Sequence, residues 1–237
     1  MMKRCILFLF VAMSVSVLRA MSITTAEGKG ADTYVGNDSN KGPDKNYGVS
    51  STLDIRINPG VRAHIGYVRF DISGVTGDRS GAQLQLYITQ GGATRTWNIY
   101  GLNDDAVDDA WGEMSITYNT APGMASASQG NYAIDETKLT LLGTLVVPSS
   151  AVNATVTSNT TTLNLDSFLA EDTNGLVTMV LIATGADRQF YVAAKEGLDS
   201  NPAWSAPTLI LPYAVPEPAA IILLGCGGLL AIRRKRR

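Results

Sequence analysis

Short alternations of apolar and polar residues, each cut off by glycine, proline or asparagine, constrain this chain more than any other feature. Residues 53–57 read Leu-Asp-Ile-Arg-Ile, residues 68–72 Val-Arg-Phe-Asp-Ile, and residues 84–88 Leu-Gln-Leu-Tyr-Ile. Each puts its apolar side chains on one face of an extended segment, the mark of a half-buried strand. Further strand signals stand at 32–35, 97–102, 115–118, 139–147, 154–165, 177–183, 189–194 and 208–211. Between them lie Asn58-Pro59-Gly60, Gly91-Gly92, Ala121-Pro122-Gly123 and Thr173-Asn174-Gly175, residues that favour turns. A helix is expected only at 166–171, with Asp166 as its N-cap. About ten short strands without helical crossovers predict an all-β fold, an antiparallel β-sandwich of jelly-roll type, over residues 27–213 as a single domain.

The two ends read differently. Residues 1–26 form a secretory signal, in which Lys3 and Arg4 precede an apolar stretch at 5–18 and the small residues Ala20 and Ala26 offer a signal peptidase two cleavage sites. Residues 214–237 combine three parts: Val215-Pro216-Glu217-Pro218, which breaks the preceding structure, an apolar run at 219–232, and a closing cluster of Arg233, Arg234, Lys235, Arg236 and Arg237. As a helix the run extends about 21 Å, short of a bilayer core of about 30 Å, and the basic cluster halts its transfer. The expectation is an exported protein held transiently in the membrane by a short transmembrane helix.

Charge and residue usage exclude several function classes. Eight of the 19 Lys and Arg lie in the end segments beside a single acid, Glu217, so the middle carries 11 basic and 20 acidic residues, a net of −9. A domain this acidic has no electrostatic footprint for nucleic acid. The only cysteines, Cys5 and Cys226, fall in the ends, which removes disulfides, thiolate zinc sites and cysteine nucleophiles from the domain. His64 is the sole histidine, and no Gly-x-Ser-x-Gly elbow accompanies it. A glycosidase needs a carboxylate pair about 5–9.5 Å apart, and a lyase a Tyr/His/Arg set around His64. The spacing supplies neither, so the expectation is a protein without catalysis.

Residues 215–237, with Pro-Glu-Pro before the apolar run and the basic end, resemble the PEP-CTERM sorting signal. That resemblance implies processing by a membrane-embedded exosortase and delivery to the cell surface, outer membrane or extracellular matrix, alongside exopolysaccharide. A second resemblance covers most of 31–211. Ala31-Asp32-Thr33-Tyr34-Val35, Asn46-Tyr47-Gly48, Tyr67-Val68-Arg69-Phe70-Asp71-Ile72-Ser73, Trp111-x-Glu113-x-x-Ile116-Thr117-Tyr118-Asn119 and Ala194-Lys195-Glu196 are similar to the DNRLRE, or disaggregatase-related, family. It implies a jelly-roll, carbohydrate-binding-module-like domain associated with extracellular, often acidic, polysaccharide. Relatives are often fused to lyases or hydrolases, and this chain carries no attached catalytic domain.

Modules of that kind commonly hold a structural calcium, for which Asp32, Asn46, Asp71 and Glu196 are the candidate oxygen ligands. The acidic run 104–113 lacks EF-hand spacing and reads as a solvated loop, with Trp111 as a plug at the core edge or a sugar platform. Flat rings stack on the apolar faces of sugars. The candidates for carbohydrate contact are Tyr47, Arg69, Trp97, Trp111 and Trp204, with Tyr34, Tyr100, Tyr191, Arg56, Arg62 and Arg95 as further members, the arginines serving uronate carboxylates. The threonines of 155–162 read as an exposed edge strand. The alternative without a sugar site is a structural or adhesive matrix protein of the same fold.

Overall fold

The computed structural model describes residues 17–105, 108–185 and 189–215, with side chains described for 20–105, 108–185 and 189–212. The chain divides into two compact units, Met21–Leu211 and the end segments Met1–Ala20 with Pro212–Arg237. Of the end segments, residues 17–20 and 212–215 are described, as extended strand. The sorting residues Pro216, Glu217 and Pro218, the apolar run 219–232 and the basic cluster lie outside the described residues, as do residues 1–16 of the expected signal. Among the described residues no helix is long and apolar enough to cross a membrane.

The described elements are β1 (Val17–Thr24), β2 (Ala31–Gly36), β3 (Thr52–Asn58), β4 (Arg62–Asp71), β5 (Gln83–Gln90), β6 (Arg95–Leu102), β7 (Met124–Ala125), β8 (Ala133–Ile134), β9 (Leu139–Val147), β10 (Ala154–Thr157), α1 (Leu165–Glu171), β11 (Leu176–Ala183), β12 (Phe190–Ala193) and β13 (Thr208–Val215). Eleven strands form one sheet in the order β1-β13-β5-β12-β3-β4-β11-β6-β9, with β10 on β5 and β2 on β4. Along this order the pairings from β13 to β9, with those of β10 and β2, are antiparallel. The sheet curls at β3, which pairs with β12 through Ile55 and with β4 from Arg56 onward. Two layers result, as expected of an all-β sandwich.

Alternation explains what lies between the layers. In β5 the even positions Leu84, Leu86 and Ile88 are fully buried and the odd positions Gln83, Gln85, Tyr87 and Thr89 are half-buried. Trp97 of β6 meets Phe190 of β12 edge to face, with ring centroids 5.9 Å apart, so these rings join the two layers. The other face of the β4–β11 layer is covered by the long segment 103–138. Its Trp111 packs edge-on against Tyr67 at 5.9 Å, and Tyr67 donates to the Pro122 carbonyl at 2.9 Å. Gly143 sits where β9 bulges, at φ 141, and a Cβ there would lie 2.0 Å from the Thr162 carbonyl, so only glycine fits.

Three expectations need correction. Residues 115–118 lie in turns, because the Ser115 and Ile116 amides both bond to the Gly112 carbonyl, at 3.0 and 2.8 Å, and no strand pairs with them among the described residues. The strand expected at 154–165 stops at Thr157. Asn159 then accepts the Thr161 amide at 2.8 Å and its hydroxyl at 2.9 Å, closing a local turn that competes with the ladder. Asp166 lies in the first turn of α1 and its carboxylate accepts from the Gly81 and Ala82 amides of another segment, so it makes no N-cap.

The indole nitrogen of Trp97 is buried without a partner. Trp97→Ala is therefore expected to cost about 3–5 kcal/mol in urea unfolding. Trp97→Phe keeps most of the packing and removes the unpartnered donor, so it should cost less than about 1.5 kcal/mol.

Candidate functional site

Several residues expected at a ligand surface serve the interior instead. Trp97 is fully buried and has no face to offer. Arg69 and Trp111 together hold the 103–138 segment onto the sheet. The Arg69 guanidinium donates to the carbonyls of Lys29 (2.9 Å), Asp109 (2.9 Å) and Trp111 (2.6 Å) and lies 4.7 Å over the Trp111 ring, while the Trp111 indole donates to the Thr178 hydroxyl at 3.1 Å. Tyr47 stacks on Tyr34 with centroids 4.5 Å apart, and the Lys41 ammonium lies over both rings, at 4.3 Å from Tyr34 and 5.0 Å from Tyr47. Both faces of that pair are therefore partly taken.

Trp204 has a different setting. It follows a short turn after β12, with its amide bonded to the Asn201 carbonyl at 2.9 Å, and its ring lies over Gly197, where a Cβ would come within 2.9 Å. Tyr191 of β12 stands beside it. With Thr52 of β3 and Thr89 and Gln90 of β5 they line an open depression of about 390 Å³. Both rings are half-buried. The Tyr191 hydroxyl accepts from the Gln189 amide, which also donates to Asp54 at 2.9 Å. Burial first, and the nearby Asp54 carboxylate second, raise the Tyr191 phenol, so it stays protonated as a donor. Two flat rings framed by hydroxyls and an amide can stack a sugar face and bond its hydroxyls. A larger depression of about 630 Å³ runs between residues 75–80 and α1, but no aromatic ring lines it, and Arg79 there is committed to Asp172 at 2.9 Å and the Leu169 carbonyl at 2.8 Å.

His64 is enclosed. Its Nε2 lies 2.6 Å from Asp38 and its Nδ1 3.0 Å from Asp54, the second contact too oblique for a hydrogen bond. Lys41 also reaches Asp54, at 3.4 Å. Burial opposes the ionisation of both carboxylates, yet it is outweighed at Asp38 by bonds from the Lys41 amide and His64, and at Asp54 by the adjacent His64 ring, the Lys41 ammonium and a bond from the Gln189 amide, so both are held below the usual range. With both ring nitrogens facing buried carboxylates, His64 is not placed to act on a substrate.

A third cluster joins Asp32 of β2, Glu113 of the 103–138 segment and Glu196 after β12, with one oxygen from each within 4.8 Å of the others. Asp32 accepts from the Thr25 hydroxyl and, at 3.2 and 3.3 Å, from the Lys195 amide. Its own amide donates to Glu113 at 2.8 Å. The Lys195 ammonium bridges Glu113, at 2.8 Å, and Glu196. One oxygen of Glu196 is buried without a partner. Three carboxylates offer oxygen donors of the type a hard divalent cation such as calcium takes, and Asp32, Glu113 and Glu196 could hold one only in place of the ammonium.

Of the four candidate ligands, the structure therefore brings Asp32 and Glu196 together. Asn46 uses its amide to hold the Glu113 and Ile116 carbonyls, at 2.8 and 2.7 Å, and so positions Glu113. Asp71 is taken up by the Lys29 amide and by Ser73 in a separate turn. Glu113 was hidden within an acidic run that reads as solvated. Its place two residues after Trp111 was the available signal.

Residues 24–174 match the model of carbohydrate-binding module family 96, more than half of the chain. The matched stretch includes Asp32 and Glu113 but ends before Tyr191, Glu196 and Trp204. No curated protein matches the chain.

Burial is the main cause raising the Asp32 carboxyl to about 7, with the Thr25 hydroxyl opposing it and Glu196 adding to it. An acid raised in the folded state stabilises fully below its unfolded value, near 3.9, and that stability is lost as pH rises through about 7. In chelator the protein should therefore lose melting temperature between pH 5 and pH 8 by more than Asp32→Asn does. If the cluster takes calcium, the ion competes with the proton, and its addition should raise the melting temperature more at pH 8 than at pH 5. Equal pH profiles for the two proteins would sink the assignment of this titration to Asp32.

Proposed function

The chain belongs to carbohydrate-binding module family 96, and we propose that it is an exported, non-catalytic module that takes polysaccharide on the Trp204–Tyr191 depression. The pairing of two half-buried rings with hydroxyl and amide groups carries this reading. Aromatic surface that a sandwich needs for its core is sequestered elsewhere, on Trp97, Tyr67, Phe70 and Phe190, whereas these two rings border solvent. The jelly-roll, disaggregatase-related type read from the sequence fits the two-layered antiparallel fold. Calcium at Asp32, Glu113 and Glu196 would be structural, tying β2, the 103–138 segment and the turn after β12 together.

Export rests on the signal-like N-terminus, and delivery to the surface or matrix on the PEP-CTERM resemblance with its exosortase. Exopolysaccharide is the partner this placement supplies. The fold bears on where the signal peptidase cuts. Ile23 is a core residue, and Thr25 is fully buried, with its amide on the Pro207 carbonyl at 3.1 Å and its hydroxyl on Asp32. Cleavage after Ala26 would strip these contacts from the domain, so cleavage after Ala20 is the reading that preserves it.

In affinity electrophoresis against a polysaccharide panel, Trp204→Ala and Tyr191→Ala should each weaken binding about tenfold or more, the usual scale for truncating an aromatic anchor. Retention of full binding by the double variant would remove this depression from consideration. N-terminal sequencing of the exported chain should find a start at or before residue 21, and a start at residue 27 would contradict the role given to Ile23 and Thr25.

A further inference from the structure

Beyond the depression, the same face of the sheet continues along β5. Thr89, which lines the depression, is followed outward by Tyr87 and Gln85, because alternate residues of a strand share a face. At about 3.4 Å per residue these positions add about 14 Å of surface. Strand β10 runs alongside, with Thr155 opposite Tyr87 and Thr157 opposite Gln85. Both threonines are exposed, and the Gln85 amide donates to the Thr157 hydroxyl at 3.2 Å.

None of Thr52, Gln85, Tyr87, Thr89, Gln90, Thr155, Thr157, Tyr191 or Trp204 carries a charge. The charged groups that act on Tyr191, namely Asp54, Lys41 and Arg56, gather at the β3 end of this face. Asp54 is buried there, Lys41 is paired with it at 3.4 Å, and Arg56 is engaged as well. The middle of the chain carries a net −9, which repels polyanions at long range.

We infer that this face binds an uncharged linear polysaccharide, with Tyr87 as a second stacking platform beyond Trp204 and Tyr191. The inference rests on the carbohydrate-binding reading above and specifies both the chemical class of the ligand and its path. The arginine nearest Tyr191, Arg56, is already engaged, and none of the residues named for this face offers the bidentate contact a uronate polymer would exploit. Hydroxyl and amide groups at Gln85, Thr155 and Thr157 instead suit the hydroxyls of neutral sugars.

The test uses the full chain and its Tyr87→Ala, Gln85→Ala and Trp204→Ala variants. Each is titrated by calorimetry against neutral glucan, xylan and mannan oligosaccharides of two and six units and against oligouronates, at low and high salt. Melting curves confirm that each variant folds. Tyr87→Ala should weaken hexasaccharide binding about tenfold and leave disaccharide binding unchanged, whereas Trp204→Ala should weaken both. Gln85→Ala supplies the same comparison should Tyr87→Ala fail to fold. Neutral binding should be insensitive to salt. Tighter binding of oligouronates, weakening with salt and still dependent on Trp204, would overturn the uncharged ligand while leaving the depression as the site. Neutral binding that depends on Trp204 but on neither Tyr87 nor Gln85 would overturn the extended path. Binding indifferent to Trp204 would overturn the depression itself.

Discussion

Strand β3 belongs to both layers, and most of the arrangement depends on that change of partner between Ile55 and Arg56. A strand that ran wholly within one layer would leave the other open at its edge. By passing across, β3 presents Leu53, Ile55 and Ile57 to the interior and sets Thr52 and Asp54 on the outer face beside Tyr191. Its later half brings Arg56 opposite His64. The aromatic depression and the ionic cluster of His64 are thus two consequences of one backbone path, and the contact of Trp97 with Phe190 closes the layers behind them.

Burial of charge is the second constraint. Asp32, Asp38, Asp54, His64, Arg69 and Asp109 are all buried in a domain whose net charge is negative. An unpaired buried charge is far more costly than a paired one. The chain meets this locally: Asp38 and Asp54 face His64, Arg69 is spread over three carbonyls, and Asp32 leans on Thr25 and the Lys195 amide. Asp32 is the least well compensated of these, since its nearest ionic neighbours are two further carboxylates. That imbalance distinguishes the Asp32 cluster from the His64 cluster. Only among the His64 partners does each carboxylate gain a bond that favours its charged form over the cost of burial.

The covering segment 103–138 shows how a loop with almost no regular structure is held in place. Trp111 and Tyr118 fill the outer face of the β4–β11 layer, and Arg69 bonds to two of the segment's carbonyls. It carries Glu113 to Asp32 through an 81-residue separation. Loops of such length are usually functional or disordered. Here the segment forms one side of the acidic cluster.

Strand existence was legible in the sequence wherever alternation was strict, as at Leu84, Leu86 and Ile88, because period two is a local property of an extended backbone. It failed at 115–118 and beyond Thr157, where side chains of serine, threonine and asparagine bond to nearby main chain and outcompete a ladder. The exclusion of thiol chemistry in the middle of the chain and the acidic charge balance were likewise set by residue usage alone. Which aromatics border solvent could not be read in this way: Trp97 and Trp204 are the same residue type, yet one joins two layers and the other lines an open depression. The convergence of Asp32, Glu113 and Glu196 was equally beyond local pattern, since it depends on three segments remote in the chain. Composition and periodicity act over a few residues and so determine elements, whereas sites are made by contacts that only the packed sheet brings within a few ångströms.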